Sequence, residues 1–385
     1  MYKRQPVTLA GAGGDDTLWG SPDDDVLEGG DGTDQIRQTR DADHVLTDTL
    51  VTGDGDDTLS SIEQAQLTAG GSDNTLDASG FDAGPVTLDG AGGDDTLLGS
   101  ASDDSLEGGP GTDQLRQTVD ADQVLTDSSL TGRGTDTVSS LEEAQLTGGA
   151  TANTLDARAF SGTVTLAGLA ADDTLWGAAG NDSLDGGGGD DLARQQIDAD
   201  QTLADTLVTG DGNDTLTSVE NGWLIAGSSN NTMDADGFTL GSATLDGAGG
   251  DDTLTGSGQD DSLAGGAGTD LVLQSTDTQQ VLTDSSLSGR GNDAVPGIEL
   301  AHLTGGNSDN RIDASGFSGT VTLTGGAGHD TLLAAAGDDS VDGGTGTDEI
   351  RQTADADQVL LNTSLTGDGN DTLVSIERAL SLIHI

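Results

Sequence analysis

The chain has 385 residues, of which 62 are glycine, 69 are aspartate or glutamate and only 12 are lysine or arginine. The formal net charge is −57 and aromatic residues make up 2% of the sequence, so the side chains for one large globular core are absent. Self-repulsion opposes any compact state unless cations neutralise it, which leaves two classes: an acidic disordered chain, or a fold that needs cations.

Residue types exclude several kinds of function. There is no cysteine, so neither a disulfide framework nor thiolate chemistry is available. No run of 18 apolar residues predicts a membrane span. Nucleic acid is excluded as a partner, because Lys3 is the only lysine, the arginines are scattered, and phosphate would be repelled.

In chain order, the sequence is a series of copies of one unit of about 79 residues. PVTLAGAGGDDTLWGS begins at Pro6 and returns in variant form at Pro85, Thr163, Ser242 and Thr320. The predicted copies are residues 6–84, 85–162, 163–241, 242–319 and a truncated fifth at 320–379. Residues 1–5 and 380–385 break the pattern, and we expect both to be non-native or fragment ends.

Each copy opens with three consecutive nonapeptides. In the first copy they are GAGGDDTLW, GSPDDDVLE and GGDGTDQIR, and the corresponding triplets begin at Gly90, Gly168, Gly247 and Gly325. Aspartate occupies the sixth position of all fifteen, and an aliphatic residue is usual at the eighth. A fourth unit without the glycines follows in register, such as QTRDADHVL from Gln38; in the fourth copy it has Gln279 at the sixth position.

A nonapeptide of this kind predicts a tight turn followed by a very short strand. Glycine permits the positive φ of the turn, and aspartate bonds the local backbone there. Strand alternation points one apolar side chain inward and its two neighbours outward. Two units form one coil of 18 residues, with parallel strands in successive coils, and about four coils per copy. Two apolar side chains per coil bury too little surface to offset the entropy of ordering it.

Cations between stacked turns supply the missing stabilisation. Residues 18 apart lie on the same edge, so Asp16 is predicted over Asp34, and on the opposite edge Asp25 over Asp43, with Gln279 weakening the pair that includes Asp261. Carboxylates and backbone carbonyls suit Ca²⁺ better than Mg²⁺ or Zn²⁺. The predicted metal ligands are Asp16, Asp25, Asp34, Asp43, Asp95, Asp104, Asp113, Asp122, Asp173, Asp182, Asp191, Asp200, Asp252, Asp261, Asp270, Asp330, Asp339, Asp348 and Asp357.

The second half of each copy carries a lone GxGxD motif, whose aspartates are Asp57, Asp136, Asp214, Asp293 and Asp371. The sequence leaves open whether these bind an ion or cap a turn. An asparagine (Asn74, Asn153, Asn231 or Asn310) follows 17 residues later in the first four copies, close to two nonapeptides. We therefore expect the winding to continue here with longer strands.

The fifteen nonapeptides resemble GGxGxDxUx, the RTX repeat of secreted bacterial proteins, whose ion is calcium. The resemblance implies an all-β fold, a parallel β-roll or β-helix solenoid built from five repeats of about 79 residues. It also implies multiple Ca²⁺ ions in the turns, folding driven by extracellular Ca²⁺, and type I secretion. The predicted function is a calcium-binding stalk or adhesin segment of a secreted or cell-surface protein, continuous with further repeats or domains.

Alternatives remain open. The second interpretation is the tail of a secreted protease, lipase or epimerase whose catalytic domain lies outside the segment, and the third is an acidic disordered buffer that binds Ca²⁺ loosely. No GxSxG, Walker lysine or cysteine nucleophile is present, and carboxylate pairs in every coil indicate architecture and not one active site, so the segment itself is not predicted to be an enzyme. Outward Trp19 and Trp176 offer stacking to a carbohydrate or cell-surface ligand, although packing in a groove is the simpler interpretation.

Overall fold

The computed structural model describes residues 5–352, 358–367 and 369–381, and all the regular secondary structure in this part of the chain is β-strand. The predicted all-β, parallel solenoid is thus confirmed. The chain divides into two compact units, Met1–Leu192 and Ala193–Ile385. Residues 1–4 and 382–385 of the expected non-native ends, and the predicted ligand Asp357, lie outside the described residues.

The strands of the first unit are short and follow one another closely. They are β1 (Thr8–Gly13), β2 (Thr17–Leu18), β3 (Val26–Asp31), β4 (Gln35–Thr39), β5 (His44–Thr47), β6 (Leu50–Val51), β7 (Asp57–Ser60), β8 (Gln64–Thr68), β9 (Thr75–Gly80), β10 (Val86–Asp89), β11 (Thr96–Leu98), β12 (Ser105–Glu107), β13 (Gln114–Thr118), β14 (Gln123–Thr126), β15 (Ser129–Thr131), β16 (Thr135–Ser139), β17 (Glu143–Thr147), β18 (Thr154–Ala159), β19 (Thr163–Ala170), β20 (Thr174–Trp176) and β21 (Ser183–Gly188).

These strands form two sheets whose inward side chains make a thin aliphatic core. Leu27 and Ile36 are fully buried while their strand neighbours face outward, as the eighth position of the nonapeptide predicts. The first sheet contains β1, β3, β5–β7, β9, β11, β13, β17, β19 and β21. The second sheet contains β2, β4, β8, β10, β12, β14–β16, β18 and β20.

Within the nonapeptides the register is the predicted 18 residues. Thr8 of β1 pairs with Val26 of β3 on the first sheet, and Thr17 of β2 pairs with Gln35 of β4 on the second, both in parallel. Consecutive strands therefore alternate between the sheets, and two nonapeptides make one coil.

The second half of each copy differs from the prediction, because it contains an antiparallel meander. In the first copy β5, β6 and β7 pair with one another in antiparallel fashion. β7 then continues the ladder from β3, and β5 continues it towards β9. Three strands thus occupy the place of one, and the winding continues beyond them through β8 and β9.

The meander changes the number of coils per copy. The nine strands of the first copy occupy seven alternating positions, because the meander counts once, so the copy has three and a half coils and not the expected four. Since seven is odd, equivalent strands of successive copies lie on opposite sheets: β1 is on the first sheet and its counterpart β10 on the second. The meander of the second copy, β14–β16, correspondingly lies on the second sheet.

The second unit has the same construction. Its strands are β22 (Leu192–Gln196), β23 (Gln201–Ala204), β24 (Leu207–Thr209), β25 (Asn213–Thr217), β26 (Asn221–Ile225), β27 (Thr232–Gly237), β28 (Ala243–Asp246), β29 (Thr253–Thr255), β30 (Ser262–Ala264), β31 (Leu271–Ser275), β32 (Gln280–Thr283), β33 (Ser286–Ser288), β34 (Asn292–Ala294), β35 (Leu300–Thr304), β36 (Arg311–Gly316), β37 (Thr320–Thr324), β38 (Ala327–Gly328), β39 (Thr331–Leu333), β40 (Ser340–Asp342), β41 (Thr345–Gly346), β42 (Glu349–Gln352), β43 (Val359–Leu361), β44 (Ser364–Thr366), β45 (Asn370–Val374) and β46 (Arg378–Ser381). Its meanders are β23–β25, β32–β34 and β43–β45.

Candidate metal centre

Glycine has two separate roles in the nonapeptide turns, one in backbone conformation, seen in the third nonapeptide, and one in space, seen at the first position of both the first and the third. Gly30 and Gly32, at the second and fourth positions of the third unit, have φ of 111° and 148°, which side chains rarely adopt. At the first position the reason is space. A Cβ on Gly11 would lie 2.5 Å from Asp16 Oδ2 and 2.6 Å from the Gly29 carbonyl oxygen. The first glycine therefore keeps open a space bounded by a carboxylate and a carbonyl.

The aspartates of these two nonapeptides stack as predicted. The backbone N–H of Asp16 donates to Oδ1 of Asp34 at 2.8 Å, and that of Asp95 donates to Oδ1 of Asp113 at 2.7 Å. The equivalent bonds join Asp173 to Asp191, Asp252 to Asp270, and Asp330 to Asp348. Every member except the partly exposed Asp16 is buried.

Asparagine and glutamate residues bond to the ends of these stacks of aspartates. Neither residue type was predicted as part of the site. Asn74 donates its N–H to Asp95 Oδ1 at 2.7 Å, and Asp113 donates its N–H to Glu142 Oε2 at 3.0 Å. Asn153, Asn231 and Asn310 each make the first of these contacts with the first stacked aspartate of the next copy, and Glu63, Glu299 and Glu377 make the second within their own copies. The glutamate could have been found in the sequence, because it recurs at one position after each lone GxGxD motif.

One oxygen of the stacked carboxylates is buried without a hydrogen-bond partner. This is Oδ2 of Asp16, Asp34, Asp95, Asp113, Asp173, Asp252, Asp270, Asp330 and Asp348. Each faces the first glycine of its own nonapeptide, where a carbonyl oxygen of the neighbouring coil also converges; at Gly90 both Asp95 Oδ2 and the Gly108 oxygen are 2.5 Å from the position of a Cβ. Buried polar atoms are normally paired, so these oxygens fit a bound cation.

The pKa shifts of these aspartates also favour a bound cation. Burial raises the pKa of the Asp95 carboxyl from 3.8 to about 6; the hydrogen bond from Asn74 opposes this and the charge of Asp113 adds to it. Burial likewise raises the pKa of Asp113, Asp173, Asp252, Asp270 and Asp330. Ionised at neutral pH, these groups destabilise the metal-free fold, and a cation beside them reverses that effect.

The opposite edge departs from the predicted pairing. The N–H of Asp25 donates to Oδ1 of Asp57 at 2.9 Å, so Asp25 stacks on the lone GxGxD aspartate and not on Asp43. The same holds for Asp104 with Asp136, Asp261 with Asp293, and Asp339 with Asp371. The inserted meander is the reason, since it brings the residue 32 positions later under the turn. Gln279 consequently does not weaken the pair that includes Asp261.

Aspartates of the second nonapeptide already have partners within the chain. In Asp104, Oδ1 accepts the N–H of Val86 at 2.8 Å and Oδ2 accepts the N–H of Ser100 at 2.6 Å. Asp25, Asp182 and Asp261 accept equivalent pairs of backbone hydrogen bonds, and Asp339 accepts one from Val321.

The predicted ligands of the fourth unit do not belong to the stacks of buried aspartates on either edge. Asp43, Asp122 and Asp200 are exposed, and each caps a backbone N–H, of Thr75, Thr154 and Thr232 respectively. The lone GxGxD aspartates Asp57, Asp136, Asp214, Asp293 and Asp371, by contrast, are buried. Burial raises the pKa of Asp136 and of Asp293 to about 7.

Side chains alone do not make a metal site here. Within the described residues no group of three or more carboxylates or imidazoles lies together in a way that could hold an ion. A site therefore needs backbone carbonyls beside the carboxylates. Ca²⁺ accepts six to eight oxygen ligands in flexible geometry, including carbonyls, and is the ion that this donor set fits.

A family model described as RTX calcium-binding nonapeptide repeat (4 copies) matches residues 8–36, 47–61, 87–116, 165–193, 202–218, 239–272 and 315–350. These segments contain nearly all of the first three nonapeptides of each copy and most of two meanders. No curated protein matches the chain. No helix in the described part of the chain has the length and apolar character needed to cross a bilayer.

Proposed function

Because the chain belongs to the RTX calcium-binding nonapeptide repeat family, whose repeats bind Ca²⁺ and form a structural domain, we propose that this segment folds on binding Ca²⁺ and serves as a stalk or adhesive part of a secreted or cell-surface protein. Repeats of this kind are typical of secreted bacterial proteins. A Ca²⁺ supply outside the cell then acts as the trigger for folding.

The nine buried, unpartnered Oδ2 atoms carry this proposal. In each first and third turn, the aspartate Oδ2 and the carbonyl oxygen opposite the first glycine would hold the ion, for example Asp95 Oδ2 with the Gly108 oxygen. The bound ion supplies positive charge between coils of a chain with a formal charge of −57. Asp34, Asp113, Asp270 and Asp348 also hold the N–H of the aspartate stacked on them, which fixes the distance between the coils.

Calcium-coupled folding is tested by circular dichroism of the full chain during a Ca²⁺ titration. We expect a largely disordered spectrum in chelator and a cooperative gain of β signal at millimolar Ca²⁺, lost again when chelator is added. A spectrum that does not change rules out folding on the metal, and a gradual change without a transition indicates the loosely binding acidic buffer.

The stalk role rests on repetition. The copies in the described chain share one succession of turns and strands, to which the fifth adds the short pair β38 and β41, with no other fold between them. The full reading frame tests this part: more repeats preceding residue 6 are expected, whereas a protease, lipase or epimerase domain there would identify the segment as the tail of a secreted enzyme.

A further inference from the structure

The second nonapeptide turn of the first copy has no carboxylate oxygen left for an ion. Asp25 accepts the N–H of Val7 through Oδ1 and the N–H of Ser21 through Oδ2. Beneath it, Asp57 accepts the N–H of Asp25 through Oδ1 and the amide of Gln38 through Oδ2 at 3.0 Å. All four oxygens of this buried pair are thus hydrogen-bonded within the chain.

Serine closes the same turn in the second and fourth copies. The Ser100 hydroxyl donates to Asp104 Oδ1 at 2.9 Å while its N–H donates to Oδ2 at 2.6 Å. Ser257 makes both bonds to Asp261 at the same distances. Both serines are only 2% exposed, so these are buried, two-point contacts. They occupy the side of the carboxylate that remains unpartnered in the first and third nonapeptides.

In these two copies an arginine lines a cavity together with the lower aspartate, while its guanidinium pairs with another carboxylate: Arg133 with Asp82 at 3.6 Å, and Arg290 with Asp236. Asp136 and Arg133 line one cavity of about 240 Å³, and Asp293 and Arg290 line another, smaller one with Ser257. Arg133 is held by a bond from Nη2 to the Ser79 carbonyl at 2.9 Å. Burial raises the pKa of Asp104, and the Arg133 guanidinium acts against this. The lone motif reads GRG in these copies but GDG in the other three, so the arginine supplies a positive charge that belongs to the protein.

We propose that the second nonapeptide turns of copies one to four are closed without calcium and that Ca²⁺ binds only at the first and third turns. Backbone N–H groups bond both oxygens of the second-turn aspartate in all four copies. A glutamine amide adds to them in the first copy, and a serine hydroxyl with an arginine nearby adds to them in the second and fourth. This inference rests on the proposed calcium function. It separates turns that share one sequence motif into a metal-binding class and a metal-independent class.

The two classes exchange edges between copies. In the first copy the ion-binding turns connect the first sheet to the second, as between β1 and β2. In the second copy they connect the second sheet to the first, as between β10 and β11. Because the first copy has three and a half coils, the calcium-binding turns of the second copy lie at the opposite edge. Within the first unit the ions therefore do not form one continuous row.

The test compares two aspartates of one copy that are matched in burial, Asp95 (1% exposed) and Asp104 (3% exposed). They differ in that Oδ2 of Asp104 accepts the Ser100 N–H whereas Oδ2 of Asp95 accepts no hydrogen bond. Bound Ca²⁺ is counted on the full chain by equilibrium dialysis, and thermal unfolding is followed at saturating Ca²⁺. D95N is expected to lose at least one ion per chain. D104N is expected to keep the wild-type count and to show a lower thermal midpoint. Equal losses of ions from both variants overturn the inference.

D104N could lose ions indirectly, through local unfolding, so bound Ca²⁺ is also counted on the wild-type chain. One ion per first and third turn, with one more allowed for Asp339, gives at most eleven tightly bound Ca²⁺; a higher number overturns the inference. The double variant R133M/R290M is expected to keep the wild-type number of bound Ca²⁺ ions and to show a lower thermal midpoint. An unchanged thermal midpoint would show that the arginines do not stabilise the second turns. A wild-type chain that binds no Ca²⁺ refutes the proposed function itself.

Discussion

Replacing Gly90 by alanine tests the reason for the first glycine of the motif. The added methyl carbon would lie 2.5 Å from both Asp95 Oδ2 and the Gly108 carbonyl oxygen, and 3.0 Å from Asp95 Cβ. One of these atoms is backbone and the other two belong to a buried side chain, so no flexible end can move aside. Overpacking of this kind costs about 1–3 kcal/mol. Loss of one ion costs a further ~2.7 kcal/mol when free Ca²⁺ is 100 times the dissociation constant.

The expected outcome for Gly90→Ala is therefore a loss of about 4–6 kcal/mol in the free energy of unfolding of its copy. A Ca²⁺ titration followed by circular dichroism should show a higher midpoint, and dialysis should show fewer bound ions. Gly71→Ala is the matched control in the same unit: Gly71 is exposed and a Cβ there meets nothing within 4 Å, so its effect should stay within about 1 kcal/mol. If the two variants behave alike, the first glycine does not guard an ion site.

Three further predictions concern pH, core packing and metal choice. Burial gives folded Asp95 a pKa of about 6 and folded Asp136 a pKa of about 7, above the ordinary 3.8, so the metal-free fold should be most stable below pH 4 and lose stability as the pH rises to about 7; circular dichroism in chelator should show more β structure at pH 4.5 than at 7.5, and equal spectra would contradict this. Leu97→Ala empties a fully buried site and should cost about 2–5 kcal/mol in thermal unfolding at saturating Ca²⁺, whereas Val124→Ala, at a position 42% exposed, should cost about 0.5 kcal/mol or less. Mg²⁺ at the same concentration should not induce the transition, because it keeps its waters and requires octahedral geometry; folding in Mg²⁺ equal to that in Ca²⁺ would disagree with the proposed donor set.

The nonapeptide half of each copy could be predicted because its structure is local. A period of nine fixes which residues turn and which enter the core, so the 18-residue register and the stacking of Asp16 on Asp34 followed directly. The wrong pairing of Asp25 with Asp43 arose where the period ends. The segment around Gly53–Gly55 places turn residues between two runs with strand propensity, which is the signature of a hairpin, and the structure has the meander there.

The parts that sequence reasoning missed depend on that meander. Glu142 caps Asp113 from 29 residues away, and Asp136 meets Asp104 from 32 residues away. Neither spacing is a multiple of nine, so no periodic argument connects these residues. The motif also does not show whether a carboxylate has a free oxygen. Asp95 and Asp104 occupy the same motif position, and only the serine hydrogen bonds at Asp104 distinguish them.

Hydrogen–deuterium exchange of the full chain, read by mass spectrometry with and without Ca²⁺, tests most directly whether calcium completes this fold. With Ca²⁺, the amides that donate to stacked carboxylates, such as those of Asn74 and Asp95, should exchange slowly along with the strand amides around Leu97. In chelator at neutral pH, all of them should exchange at the rate of an unfolded chain. Equal protection in both conditions would contradict the account, because the coil would then be stable without its ions.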